Sequence, residues 1–328
     1  MNFFTKIDIP AADFKIDYTS RLAFFGSCFA DNISAQFAER KFNVLANPLG
    51  TVYNPVSLAS QIKAIADGKI FGEDDVFQDT RCDGLWHCWD AHSSLSGATK
   101  EECIGKLNAA ATQARDFLKK ANVIFITLGS AFVYYLKDSG KPISNCHRQD
   151  PNLFTRRMIS VEEAAEAIQR IVALLRDMNR DARIVFTVSP IRHLGDEAHG
   201  NNLSKATVLL GIEKAIAEIA ASPLAPRNDI AEYFPSYEIV MDELRDYRFY
   251  ADDMVHLSKT AEEYIFERMV ETYCDGATRE NMAKVEKFLK MANHRIQDEN
   301  SPATQEFKKK LATQAAELEK QIAGLSLH

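Results

Sequence analysis

Short apolar runs alternate with amphipathic segments along most of the chain. Apolar runs of strand length, each followed by turn-forming residues, occur at 22–25, 42–45, 122–128, 183–188 and 237–241. Between them, apolar residues recur at helical spacing, which predicts helices at 31–40, 55–67, 100–120, 161–175 and 205–221. Strands that are continuously apolar are typical of a parallel sheet covered by helices on both faces, so we predict an α/β fold.

The last quarter of the chain is helical and highly charged in pattern. Thr260-Ala-Glu-Glu263 has the spacing of a capping box and predicts a helix that ends near Cys274. Two further helices are predicted at 280–296 and 303–325, separated by segment 298–302. The last one carries apolar residues at heptad-like spacing but is short for a coiled coil, so we expect it to pack on its own chain. We therefore expect one domain over 1–275 and a helical extension over 276–328.

Composition excludes several classes of function. The chain has 328 residues, 46% of them hydrophobic, with 39 Lys+Arg against 46 Asp+Glu and a net charge of −7. This acidic balance argues against a nucleic-acid partner, which requires concentrated Lys and Arg. No segment approaches the ~20 consecutive apolar residues of a membrane span. The first residues, MNFFTKIDIPAADF, lack the apolar stretch of a signal peptide, so we expect a cytoplasmic protein.

Metal and nucleotide motifs are absent from the sequence. None of the six cysteines forms a CxxC pair, which argues against a zinc knuckle or a thioredoxin-like site and favours reduced thiols. His193 and His199 have no obvious third ligand nearby. Neither GxxxxGK[ST] nor GxGxxG occurs, so we expect no phosphate-binding loop, no metal and no organic cofactor.

Ser27 is the first candidate for chemistry. It follows the first predicted strand and precedes a helix, so nearby backbone N–H groups would lie at the positive end of that helix. Such N–H groups can stabilise the oxyanion formed in acyl transfer. On the dipeptide Gly26-Ser27 alone, a turn in which the serine caps the helix is the simpler interpretation.

Asp253 and His256 are the second candidate, because they follow the last predicted strand and precede a helix. An Asp three residues before a His can accept a hydrogen bond from imidazole Nδ1, which leaves Nε2 free to act as a base. The alternatives are a solvated acid pair, Asp252 and Asp253, and a helix-terminal histidine. In an α/β fold, the carboxyl ends of the strands would bring Ser27 and His256 to the same edge of the sheet.

At this point the sequence resembles a known family. Phe25-Gly-Ser-Cys-Phe-Ala30 reads FGSCFA, the signature of the GSCFA family, which belongs with the SGNH (GDSL-type) hydrolases. The resemblance covers about residues 1–270 and continues through the following segments: Asn145-Cys-His147, Ser189-Pro-Ile-Arg-His193, Asn202-Leu-Ser-Lys-Ala206, the stretch 233–250 and the Asp253–His256 segment. No single segment is specific, but their combined order is.

The resemblance implies a flavodoxin-like three-layer fold with a Ser–His–Asp triad. Ser27 would be the nucleophile, His256 the base and Asp253 the carboxylate that orients it. The oxyanion hole would use the backbone N–H groups of Ser27 and Gly50.

One position departs from the SGNH pattern. Ala131 stands where these enzymes have an asparagine shortly after the third strand. Asn145 could replace that asparagine as an amide donor, and His147 could line the site. The alternative is that both residues only order their loop.

Arg192 and His193 follow the fourth strand, where they could line a pocket for a polar or anionic substrate. A structural histidine at 193 remains an equal alternative.

These observations predict a serine esterase that hydrolyses a small acyl ester, possibly an O-acyl group on a carbohydrate. An O-acyltransferase would use the same residues. A carbohydrate- or protein-binding module with weak or no activity is the alternative, favoured by Ala131 and the charged helical end.

Overall fold

The computed structural model describes residues 5–221, 231–294 and 301–327. The strands are β1 (Arg21–Gly26), β2 (Asn43–Ala46), β3 (Phe77–Gln78), β4 (Trp86–His87), β5 (Val123–Leu128), β6 (Phe132–Leu136), β7 (Pro142–Ile143), β8 (Phe154–Met158), β9 (Arg183–Val188) and β10 (Ala231–Tyr233). The helices are α1 (Cys28–Glu39), α2 (Pro55–Ala66), α3 (Lys100–Leu118), α4 (Val161–Met178), α5 (Glu197–Ala221), α6 (Ser236–Glu238), α7 (Lys259–Tyr273), α8 (Gly276–Ala292) and α9 (Pro302–Gln321).

A five-stranded parallel sheet forms the centre of the molecule, in the order β2-β1-β5-β9-β10. This is the strand order 2-1-3-4-5 of flavodoxin-like folds, counted along the chain. The sheet is parallel throughout, so the segments that follow β1, β2, β5 and β9 all emerge at one edge. The predicted α/β fold is therefore confirmed, and this edge carries the candidate residues.

Alternate residues of β1 face two separate cores. Ala23 and Phe25 pack into the core beneath α2, α3, α4 and α5, whereas Leu22 and Phe24 pack into the core beneath α1 and α7. All four side chains are buried. Both faces of the sheet are thus covered, which gives the three-layer arrangement that continuously apolar strands predict.

Two smaller sheets were not predicted. The strands β6, β7 and β8 form an antiparallel sheet in the order β7-β6-β8, and β3 pairs with β4 as a hairpin within the region 71–97. Three of these strands, β3, β4 and β7, have only two residues and are too short to show a period in sequence. The sheet of β6, β7 and β8 matters for the site, because its residues form one wall of a cavity described below.

The predicted last strand is wrong. Residues 237–241 are helical, lying in α6 and the π-helical turn Ile239–Glu243, and the last strand is β10 instead. Pro235 precedes this helical segment, and Ile239, Val240 and Leu244 enter the core at helical spacing. An apolar run of five residues is compatible with a strand or with a helix, and the preceding proline favours the helix.

Several helix boundaries also differ from the sequence prediction. The helix predicted at 205–221 begins eight residues earlier, at Glu197. The cap of α7 is Ser258, whose Oγ accepts from Ala261 N, rather than Thr260. Helix α8 begins at Gly276 behind an Asp275 cap, and its predicted end at 296 lies outside the described residues. The capping box of Ser160 and Glu163 forms as expected.

Both ends of the described chain pack on the layer that contains α1 and α7. Ala12 N donates to Thr272 O at 3.1 Å and Ile16 N donates to Tyr273 O at 2.8 Å, at the end of α7. Ile322 and Leu325, at and after the end of α9, are buried in the same core as Phe24. Packing of the last helix on its own chain is therefore confirmed.

None of the helices in the described ranges is both long enough and apolar enough to cross a membrane.

Candidate active site

Ser27 lies directly after β1, at the N-cap of α1. Gly26 precedes it because β1 and β5 approach closely here: a Cβ on Gly26 would lie 1.9 Å from Thr127 O. The Ser27 side chain is buried, and its hydroxyl does not cap the helix. Within the described part of the chain, Ser27 Oγ has no hydrogen-bond partner. A buried hydroxyl without a partner is costly unless a ligand or a reaction uses it.

Asp253 and His256 form the hydrogen-bonded pair that the sequence predicts. His256 Nδ1 lies 2.6 Å from Asp253 Oδ2, while Asp253 Oδ1 accepts from the backbone N–H groups of Val255 and His256, both at 2.9 Å. These hydrogen bonds, led by the one with His256, lower the pKa of Asp253 to about 2. The carboxylate is ionised at neutral pH and holds Nδ1, so Nε2 is left for proton transfer.

A cavity of about 370 Å³ lies next to both parts of the candidate site. Its lining includes Cys28, the residue after Ser27, and His256. His256 and the residue next to Ser27 therefore lie at the same edge of the sheet. The Ser27 hydroxyl is not hydrogen bonded to His256 in this structure. Burial raises the pKa of the Cys28 thiol, which argues against a cysteine nucleophile.

The two backbone donors predicted for the oxyanion hole are already engaged. Ser27 N–H donates to Thr127 O at 3.1 Å, and Gly50 N–H donates to Asn47 O at 2.7 Å. The first bond ties β1 to β5 and the second closes the turn after β2. Neither N–H is available to an oxyanion unless that bond opens, so other donors are needed in the arrangement described here.

Asn145 lies in a second cavity, of about 350 Å³. Its Oδ1 accepts from His147 N at 2.8 Å, which fixes the orientation of the carboxamide. Its Nδ2 is then the group left to donate. The cavity is also lined by Tyr53, Tyr134 and Ser130, so Asn145 remains a candidate donor in a polar, aromatic pocket.

His147 does not have the predicted site-lining role. Its Nε2 donates to Cys88 O at 2.8 Å, its Nδ1 lies 3.1 Å from Ser93 Oγ, and its ring stacks on His87 with centroids 4.4 Å apart. Both ring nitrogens are engaged and the residue is buried, because it anchors the loop after β7 to the β3–β4 region. Burial lowers the pKa of His147 to about 4, so it stays neutral at physiological pH.

Arg192 and His193 both line the cavity that contains His256, and His193 lines the second cavity as well. The His193 ring meets the Tyr53 ring edge-on with centroids 5.2 Å apart. Burial lowers the pKa of His193 to about 4, aided by the nearby Lys205 cation. Arg192 donates to Asn202 Oδ1 at 3.3 Å and contacts the Met241 sulfur.

The first turns of α5 anchor the segments that carry these residues. Asn201 Oδ1 accepts from His193 N at 2.9 Å, and Ser204 Oγ accepts from Ala131 N at 2.7 Å. Lys205 is fully buried and its Nζ donates to Ser189 O at 2.7 Å. Burial lowers the pKa of Lys205 to about 7. The segment 202–206 is part of the family resemblance in the sequence. Its role in supporting the candidate site depends on helix α5 beginning before it, which the sequence did not predict.

Arg156 and Asp196 form an ion pair shared by both cavities, which sequence reasoning did not find. The Arg156 guanidinium also lies 4.0 Å from the centre of the Phe132 ring and 5.3 Å from that of Tyr134. Arg156 is in β8 and Asp196 precedes α5, so only the fold brings them together. No local sequence pattern could have indicated this contact.

Away from the cleft, Asp79, Asp83 and His87 bring three possible metal-ligand atoms within 4.8 Å of one another. Asp79 Oδ1 already accepts from Arg81 N at 2.8 Å, and His87 Nε2 lies 3.2 Å from Asp83 Oδ1. His87 Nδ1 lies 2.6 Å from Ser96 Oγ. Hydrogen bonds within the protein thus already use these groups to order the β3–β4 hairpin.

Comparisons with known proteins return a family model and several solved structures. The profile of the GSCFA family matches residues 21–269. No curated protein matches the sequence. Among solved structures, an acetyl xylan esterase from the rumen bacterium Butyrivibrio proteoclasticus aligns at a TM-score of 0.38 and 14% identity, covering 81% of this chain and 64% of that chain.

Proposed function

Because this chain belongs to the GSCFA family, we propose that it is a serine esterase in which Ser27, His256 and Asp253 form the catalytic triad. The observation that carries this proposal is the oriented Asp253–His256 pair, whose imidazole lines the same cavity as the residue next to Ser27. Ser27 adds a buried hydroxyl that no described group of the protein uses. A nucleophile, a base and an orienting carboxylate at one sheet edge are what acyl transfer requires.

The reaction would proceed through an acyl-enzyme. Ser27 Oγ bonds to the ester carbonyl carbon as its proton passes to His256 Nε2, and the carbonyl π electrons move to the oxygen. The tetrahedral intermediate then expels the alcohol, which takes the proton from His256. Water repeats the attack with His256 as base, and the carboxylic acid leaves as Ser27 regains its proton.

The cavities suggest a small acyl group on a hydroxylated acceptor. Each measures about 350–370 Å³, and together they present ring faces and polar side chains, among them Tyr53, Tyr134 and Asn145. Such a lining suits a carbohydrate better than a long alkyl chain. An acyltransferase would follow the same path, with a second hydroxyl in place of water.

A fluorophosphonate probe and p-nitrophenyl acetate test the proposal. The folded wild-type protein should be labelled and should hydrolyse the ester, whereas Ser27→Ala should do neither. Ser139→Ala, which changes an exposed serine in the turn after β6, is the matched control and should behave as wild type. If folded wild-type protein remains unlabelled across several acyl chain lengths, the proposal is wrong and a binding module is favoured.

A further inference from the structure

The oxyanion hole of the proposed esterase needs a donor that the family pattern does not supply. Ala131 replaces the usual asparagine, and the N–H groups of Ser27 and Gly50 are bonded to backbone oxygens. Losing a single oxyanion donor costs ~100-fold or more in rate. Asn145 lines the second cavity but not the cavity that contains His256, so a side chain that faces Ser27 from another element is better placed for the role.

His193 faces the same point as Ser27. A Cβ placed on Gly129 would lie 3.2 Å from His193 Nε2 and 3.6 Å from Ser27 Cβ. Both side chains thus approach Gly129, the first residue after β5, where a Cβ would contact His193 Nε2 tightly. The two groups are not hydrogen bonded to each other, which is compatible with a small group binding between them.

The imidazole of His193 is held in place, but its ring nitrogens have no hydrogen-bond partner among the described residues. Its backbone N–H donates to Asn201 Oδ1, and its ring packs against the edge of Tyr53. Among the described residues, neither ring nitrogen of His193 makes a hydrogen bond with the protein, in contrast to His147, where both are engaged. The ring is held in position, and in the tautomer that carries its proton on Nε2 this nitrogen is free to donate to a ligand.

We propose that His193 is an additional catalytic residue, whose Nε2–H donates a hydrogen bond to the oxyanion in place of the missing asparagine. This inference rests on the proposed function. No proton is transferred: the N–H bond stays intact while negative charge develops on the substrate oxygen 2.7–3.1 Å away, the usual distance for such a donor. Burial favours the neutral ring, and a neutral imidazole N–H can act as an electrophilic donor in an active site.

Two substitutions distinguish the effect of losing the hydrogen-bond donor from the effect of losing the aromatic ring. His193→Phe keeps an aromatic ring against Tyr53 but removes the donor, whereas His193→Gln keeps an N–H. We expect kcat for p-nitrophenyl acetate to fall ~100-fold in His193→Phe with KM changed less than about 3-fold, and to stay within about 10-fold of wild type in His193→Gln. His199→Gln, which changes an exposed histidine in α5, is the matched control.

A second measurement uses the Ser27 adduct. In wild-type protein the phosphonyl oxygen of the fluorophosphonate adduct should bring out a downfield imidazole N–H proton resonance, which His193→Gln should lack. If folded His193→Phe retains kcat within about 3-fold of wild type, the inference is wrong while the esterase proposal stands. If wild-type protein shows neither labelling nor turnover, both are wrong.

Discussion

Ser27 occupies the N-cap of α1 without using its hydroxyl as a cap. In the other long helices with a Ser, Thr, Asp or Asn cap the side chain accepts a backbone N–H, as Ser160 does for α4 and Ser258 for α7. A cap contributes ~1 kcal/mol to helix stability, so leaving it out has a cost. The free hydroxyl is what a nucleophile requires, since a capping hydroxyl would have to leave its partner before reacting.

The Asp253 carboxylate should matter for activity far more than its neighbour. In Asp253→Asn the amide can no longer accept from His256 Nδ1 as the carboxylate does, so the imidazole loses its orientation and tautomer. We expect kcat for an aryl ester to fall ~100-fold or more. Asp252→Asn changes an adjacent exposed carboxyl and should leave kcat unchanged. Equal effects of both substitutions would contradict the assigned pair.

At the residue scale, the sequence predicted local pairs and missed distant ones. Asp253 and His256 are three residues apart, so their contact follows from one tight loop. His193 and Gly129 approach each other only because β9 and β5 are neighbours in the sheet. The engaged N–H of Gly50 could not be foreseen either, because it depends on the turn geometry after β2.

The start of helix α5 positions neighbouring segments of the candidate site through hydrogen bonds. The start of α5 at Glu197 places Asn201, Ser204 and Lys205 where they bond the ends of two strands. The sequence predicted this helix from its apolar spacing, but not its first two turns, where Gly200 and Asn201 weaken the signal. Tertiary hydrogen bonds compensate the burial of these polar groups, and the hydrophobic periodicity of the sequence does not indicate such bonds.

Ser204 should contribute to stability through one bond. Ser204→Ala removes the acceptor of the Ala131 N–H inside a buried region, so we expect a loss of 1–3 kcal/mol in the free energy of unfolding. Leu203→Ala, at the exposed neighbouring position, should change it by less than about 0.5 kcal/mol. Urea denaturation of both variants measures the difference. A loss below 0.5 kcal/mol in Ser204→Ala would show that the bond is dispensable.

The loop anchored by His147 should make stability depend on pH. The pKa of His147 is about 4 in the folded protein against an ordinary 6.5, so the unfolded chain takes up this proton first as pH falls. The contribution of neutral His147 to the free energy of unfolding is complete above pH 6.5. It is lost progressively towards pH 4, by up to roughly 3 kcal/mol.

Urea titrations between pH 4 and 7 test this dependence. His147→Gln should flatten the slope of the free energy of unfolding against pH relative to wild type. His294→Gln, at an exposed histidine of the described chain, should not. Parallel curves for wild type and His147→Gln would contradict the assignment.

At the scale of the whole molecule, the charged helices after residue 275 share a core with the sheet. Ile322 is 2% exposed and lies in the same apolar cluster as Phe24 of β1 and Val285 of α8. The boundary between 275 and 276 remains a proposal about where the family's domain ends. The extension after this boundary is not expected to fold as a separate unit.

Ile322→Ala should therefore destabilise the entire protein. Removing buried methyl groups from this core should lower the free energy of unfolding by 2–5 kcal/mol in one cooperative transition. Ile70→Ala, which changes an 84% exposed isoleucine, should have little effect. An additional early transition in Ile322→Ala, with the main transition unchanged, would show instead that the extension unfolds on its own.

Residues 12–16 lie along the end of α7, and Gly324 lies so close to Tyr18 that a Cβ there would come within 2.5 Å of Tyr18 O. The earliest described segment is thus held by some of the latest. During synthesis on the ribosome, the contact of Gly324 with Tyr18 and the burial of Ile322 and Leu325 cannot form until the chain has been translated past residue 325. Nascent chains halted before residue 322 would leave uncovered the part of this core that Ile322 and Leu325 close.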